Sequence, residues 1–114
     1  MAHPGAKVIA VINKASWCPV CQKNGKRAMS VLMDNNKDGS VQFVDNNLSN
    51  KMTIQKSAMK LKNMMLYNTM SKYKSTGVVY FFDAKSKRMI SHISLARSNH
   101  ELAKAMADAK MMAK

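Results

Sequence analysis

Val8-Ile9-Ala10-Val11-Ile12, the longest uninterrupted apolar run in the chain, leaves few folds open. Its β-branched residues are nearly continuous rather than alternating, the pattern of a strand covered on both faces. A strand from Lys7 to Asn13 of this kind belongs in the middle of a sheet, with helices packed above and below it. The run is also too short to span a bilayer or to form the core of a signal peptide. The 114 residues make one domain, 1–114, with a core large enough to need neither disulfide staples nor a structural metal.

The remaining elements follow from periodicity and punctuation. A loop from Lys14 to Trp17 leads into a helix that Pro19 opens at its first turn. The helix carries Val20, Cys21, Ala28, Val31 and Leu32 at helical spacing up to Asn35-Asn36. Gly25 weakens or bends it. After the turn at Asp38-Gly39, Ser40 to Asp45 reads as a second strand, with Val41, Phe43 and Val44 as its apolar surface. Ser49-Asn50 caps a long helix from Lys51 to about Tyr73, with room for one break. Its stripe is Ile54, Met59 or Leu61, Met65, Leu66 and Met70, and its lysines lie off that stripe. Val78 to Phe82 and Met89 to Ser94 form an antiparallel hairpin across the loop Ala84 to Arg88. Ser98-Asn99-His100-Glu101 is a capping box that opens a last helix through Leu102, Met106 and Ala109 to Met112. The order β-α-β-α-β-β-α, a right-handed β-α-β half followed by a β-β-α half, gives an α/β fold with a four-stranded mixed sheet and helices on both faces.

The only two cysteines stand together in Trp17-Cys18-Pro19-Val20-Cys21, directly after the buried strand. At a helix N-terminus, unpaired N–H groups and the positive end of the dipole lower a thiol's pKa, so Cys18 is the expected nucleophile. Cys21 follows nearly one turn later on the same face and can attack a mixed disulfide on Cys18. Trp17 shields one side and presents a flat apolar surface to a peptide substrate. Lys14 adds positive charge that favours the thiolate, as do Lys23 and Lys26 further along.

In this motif and in its order of elements, the chain resembles the thioredoxin-like superfamily over essentially its whole length. The resemblance implies a thiol-disulfide oxidoreductase, with Cys18 attacking and Cys21 resolving. Trp17, Pro19, Val20, Thr76 and Gly77 would form the substrate surface. The tryptophan resembles that of thioredoxins and their extracytoplasmic relatives, and the proline that of glutaredoxins and bacterial disulfide-forming oxidases. Two features depart from the superfamily. Its members carry a cis-proline before the third core strand, whereas the only prolines here are Pro4 and Pro19, and Ser75-Thr76-Gly77 takes that place. Gly77 is expected to remove bulk beside the sulfurs and widen access for a substrate or a metal ion. Thioredoxins also bury an acid in the strand before the motif, where Ile12 stands in this chain.

Other readings of the same residues remain in play. A tetrahedral zinc site lacks its third and fourth ligands, because no second cysteine pair exists and His92 and His100 are not spaced as a zinc-binding pair. Twelve methionines beside two thiols invite Cu(I), with His92 or a methionine as third ligand. Met29, Met33, Met59, Met65, Met70 and Met106, however, sit on helical stripes where methionine ordinarily fills a core. No cofactor and no resident metal are expected, since the disulfide itself carries two electrons. His92 reads as a structural residue of its strand and His100 as surface.

Nineteen Lys and Arg against six Asp and Glu give a net charge of +13. Six lysines and no acid lie between Asp45 and Asp83, which makes the long helix a docking face for an acidic partner protein. Nucleic acid fits poorly, for want of a stacking platform. The expected partners are protein or peptide dithiols and disulfides, together with a reductase or oxidase that resets the pair, and the chain is expected to act as a monomer. A redox-inactive interaction domain that uses only the basic helix is the third reading. A chain beginning Met1-Ala2-His3-Pro4 fits either a cytoplasmic protein or a periplasmic domain whose export signal has been removed.

Overall fold

The computed structural model describes residues 5–113. Met1 to Pro4, on which the reading of a trimmed export signal rests, lie outside the described residues. Eight elements follow in order: β1 (Val8–Lys14), α1 (Pro19–Asp34), β2 (Val41–Asn47), α2 (Lys51–Asn63), α3 (Tyr67–Met70), β3 (Val78–Asp83), β4 (Met89–Ser94) and α4 (Asn99–Met112). The strands form one sheet in the order β2-β1-β3-β4, with β1 and β2 parallel and the other pairs antiparallel.

β1 explains why an unbroken apolar run was needed. Its even-numbered residues Val8, Ala10 and Ile12 pack with Ala28, Leu32, Leu102 and Met106 from α1 and α4. Its odd-numbered residues Ile9 and Val11 pack with Leu61, Leu66 and Met70 from the α2–α3 side. Since successive side chains of a strand point to opposite faces, both sets must be apolar when both faces are covered.

β2 continues two residues past the expected end at Asp45, because Asn46 and Asn47 still pair with Asn13 and Lys14. Leu48 N–H closes that end on Lys14 C=O at 2.7 Å.

The expected helix over 51–73 is broken, and the break is a helix-ending motif. Met65 N–H donates to Lys62 C=O at 3.1 Å and Leu66 N–H to Leu61 C=O at 2.8 Å, with Met65 in the left-handed region at φ 62°. This is a Schellman stop, in which the turn folds Leu66 back onto Leu61 in the core. A glycine usually marks such a stop in sequence, and the methionine here gave no signal.

The stripe assigned to this region is corrected accordingly. Ile54, Met59 and Met65 are exposed, whereas Leu61, Met64, Leu66 and Met70 are buried. The role of methionine as core filler holds for Met64, Met70 and Met106, with Met29 packed partly against the core, but Met33, Met59 and Met65 point outward.

Candidate active site

The loop after β1 delivers Cys18 to the N-cap of α1, where its extended backbone (φ −82°, ψ 116°) is that of a capping residue. Pro19 follows at the first helical position, where its missing N–H would have been unpaired in any case. The Cys18 sulfur does the work of a capping oxygen and accepts from Cys21 N–H at 3.3 Å. The expected juxtaposition of the two thiols is therefore built by the cap itself.

Their ionisation is pulled apart. Burial pushes the Cys18 thiol up, but hydrogen bonds from the Cys21 thiol, the Thr76 hydroxyl and the N–H groups of Cys21 and Val20 outweigh it and leave the thiol below its usual range. Cys21 moves the other way. Burial raises it, and its bond to Cys18 and the charge of the Cys18 thiolate add to the rise, against opposing backbone contacts at Ala15 and Gly77.

Lys14, expected to favour the thiolate, does not supply this effect. Its ammonium donates to Asp45 at 2.9 Å, and it lines a groove with Cys21 rather than with Cys18. Lys23 and Lys26 are exposed on α1 and are likewise not among the groups that shift Cys18.

Thr76 and Gly77 stand where the sequence placed them, but Gly77 plays the opposite role. A β-carbon there would lie 2.7 Å from Val20 Cγ1 and 3.5 Å from Cys18 Sγ. The space beside the sulfur is filled by Val20, and Cys18 is only 2% exposed, so access on this side is not widened. Gly77 also has φ +77°, which a proline ring at φ near −65° could not adopt. It links the strands as well, donating from N–H to Asn13 C=O at 2.7 Å and accepting from Leu95 N–H at 2.8 Å.

Two residues missed in the sequence hold this loop. Asn13 is fully buried, and its amide donates to Tyr73 C=O at 2.8 Å and to Ser75 C=O at 3.2 Å. Its oxygen accepts from Asn46 at 2.8 Å. The signal was a polar residue ending an otherwise apolar central strand, a position where a buried amide must find partners.

On the other side, Ser49 accepts from Ser16 N–H at 2.8 Å through its hydroxyl and from the Trp17 indole N–H at 3.1 Å through its carbonyl. The indole is thereby fixed with 58% of its residue surface exposed, as a flat surface beside the dithiol.

Cys21, half-buried, opens onto a groove of about 740 Å³ lined by Ile12, Met29, Met33 and Asp45. Ile12 occupies the floor where a buried acid was absent from the sequence, and the half-exposed Asp45 on the neighbouring strand brings a carboxylate into that groove.

His92, weighed as a third copper ligand, is in register with Tyr80 and lies tilted at 44° against its ring, at 5.8 Å between centroids. It lies in the row of Val11 and Tyr80, on the face opposite α1 and the sulfurs. Among the described residues no group of three or more His, Cys, Asp and Glu side chains could hold a metal ion.

No protein-family model matches the chain, and no curated protein matches it by sequence. Solved structures do match. A thiol:disulfide interchange protein of the thioredoxin family from Chlorobium tepidum TLS superposes with a TM-score of 0.61 at 20% identity, covering 93% of this chain and 81% of that one. DsbH oxidoreductase gives 0.60 at 18%, over 94% and 74%. A secreted Mycobacterium tuberculosis disulfide oxidoreductase homologous to E. coli DsbE gives 0.57 at 16%, over 90% and 81%. The chain thus has the thioredoxin-like α/β fold, with its four-stranded mixed sheet and helices on both faces.

Proposed function

We propose that this chain exchanges disulfides with protein or peptide thiols through Cys18 and Cys21. The observation that carries the reading is the N-cap sulfur, which accepts from Cys21 N–H at 3.3 Å and whose thiol is drawn below its usual range, with a second, raised thiol one turn behind it. That its structural neighbours include named thiol-disulfide oxidoreductases supports the class of reaction.

In the reducing direction, the Cys18 thiolate attacks a substrate disulfide. A Cys18–substrate S–S bond forms, the substrate's own S–S bond breaks, and one substrate thiolate leaves. Cys21 then gives its proton to water in the adjoining groove and attacks the Cys18 sulfur. The second substrate thiolate leaves, and Cys18–Cys21 becomes the disulfide, so the protein is oxidised by two electrons and the substrate reduced by two. The same steps in reverse oxidise a substrate dithiol. Thr76 and the backbone N–H groups stabilise the thiolate, and Trp17, Pro19 and Val20 form the surface on which a substrate chain would lie. A reductase or oxidase must reset the pair after each turnover.

The copper reading rested on soft sulfur ligands, on an open position at Gly77 and on His92 or a methionine as third ligand. Val20 fills the space at Gly77 and His92 lies on the other face of the sheet, which leaves, among the described residues, only Met29 or Met33, in the groove with Cys21, to serve such a site, whereas disulfide exchange needs nothing beyond the two thiols. Among the described residues no helix is long and apolar enough to cross a membrane. A cytoplasmic and a periplasmic location both fit this reading, and the secreted Mycobacterium tuberculosis neighbour is compatible with the second.

A redox titration of the pair in glutathione buffers, read by alkylation and mass, tests the reading. A reversible two-electron disulfide within about −270 to −120 mV is expected. Failure to form an intramolecular disulfide overturns it.

A further inference from the structure

Helix α2 buries Ser57 and Leu61 on its inner side, and the opposite side carries an unusual crest. Met52 and Met59 are 65% and 66% exposed, and their separation of seven residues places them one above the other, since two helical turns take about 7 residues. Lys51 and Lys62 flank them on one side, Lys56 and Lys60 on the other, and all four are exposed. Met65 is also exposed, 79%, at the left-handed stop that ends the helix.

No acidic residue occurs from 46 to 82, so nothing in this part of the chain neutralises the lysines. The ion pairs formed among the described residues use Lys14, Arg97, Lys104 and Lys110, all outside α2. Two physical oddities coincide here, large apolar side chains kept in water and a one-signed charge around them. An apolar centre ringed by charge is the anatomy of a protein interface, and methionine is the side chain that adapts best to a partner's shape. Interfacial lipid binding instead favours Trp, Phe and Leu, which this crest lacks.

The crest also starts at the dithiol. Ser49, which holds the Ser16 N–H and the Trp17 indole, immediately precedes the Asn50 cap of α2. A partner lying along α2 therefore meets the exposed Trp17 indole, the residue next to Cys18, at the helix's N-terminal end.

Resting on the disulfide-exchange reading, we infer that α2 is the docking helix for the redox partner. That partner is an acidic polypeptide whose apolar groove, rimmed by Asp and Glu, receives Met52 and Met59.

Two synthetic peptides of equal length test this, each with one intramolecular disulfide between leucines, one flanked by glutamates and the other by lysines. Reduced protein should reduce the acidic peptide about tenfold faster at low salt, and the advantage should collapse near 0.5 M salt, as expected for about tenfold electrostatic steering. The double variant K56E/K60E should lose the preference while its Cys18–Cys21 potential in glutathione stays unchanged. Met52→Ser with Met59→Ser should slow the acidic peptide without changing the salt slope. Equal rates for the two peptides overturn the inference. So does co-sedimentation with phosphatidylserine vesicles that K56E/K60E abolishes while the peptides remain indistinguishable. Fluorescent peptides with alkylated cysteines, followed by anisotropy, test docking independently of chemistry: tighter binding of the acidic one supports the inference even if no disulfide forms, and equal binding overturns it.

Discussion

Cys18 and Cys21 differ in environment by only one helical turn, yet their thiols move in opposite directions because one accepts the cap hydrogen bonds, whereas burial first and then the bond to its neighbour raise the other. Alkylation rates of the two cysteines, resolved by mass over a range of pH, should therefore show a midpoint for Cys18 below that of an ordinary thiol and one for Cys21 above it. Thr76→Val removes a hydroxyl bond to the thiolate and should move the Cys18 midpoint up, leaving the fold intact. The depressed Cys18 pKa stabilises the reduced protein at high pH, and this is lost as pH falls through that depressed value. The raised Cys21 pKa stabilises it at low pH and is lost on going above. At Gly77 the backbone is left-handed and Val20 is in contact, so Gly77→Ala should destabilise by at least about 1–2 kcal/mol. Val20→Ala on that background should recover part of the loss, and a denaturant double-mutant cycle that shows simple additivity would remove the proposed contact.

Between elements, the buried amides tie the β1–β2 pair to the loop that faces Cys18. Asn13→Ala orphans the carbonyls of Tyr73 and Ser75 and the Asn46 amide, so unfolding in urea should show a loss of about 3 kcal/mol. The Cys18 midpoint should rise with it, because the loop that carries Thr76 is no longer held. At the start of α4, the Ser98 hydroxyl accepts from Glu101 N–H at 3.2 Å, and the Glu101 carboxylate accepts from Ser98 N–H at 3.3 Å. Ser98→Ala should cost about 1 kcal/mol, measured the same way. This box was legible from four letters, as were the cap at Asn50 and the proline at the start of α1. Local rules write such features locally. The stop at Met65 was not legible, because a methionine in the left-handed region is chosen by the burial of Leu66 on Leu61, a contact between turns rather than a property of the residue.

Across the whole molecule, 19 cationic side chains face 6 acids, and the four ion pairs described, Lys14–Asp45, Arg97–Glu101, Lys104–Asp108 and Lys110–Asp38, lie at the surface. Self-repulsion at +13 should then outweigh pair attraction, so the melting temperature should rise as sodium chloride is raised from about 10 to 200 mM, a range over which the Debye length falls from about 30 Å to below 10 Å. A fall would mean that the pairs matter more than the excess charge. The sheet's central strand, the order of elements and the pairing of the two thiols at a helix mouth could all be read from the residues alone. Each of these rests on residues adjacent in the chain or one turn apart, where periodicity and capping act directly. Packing between distant segments settled that Val20 closes the space over Gly77, that Lys14 answers to Asp45, that Asn13 holds a loop sixty residues away and that Met33, Met59 and Met65, expected in the core, point into water. Those outcomes depend on which faces meet when distant segments pack, and side-chain type does not encode that without the neighbours that cover it.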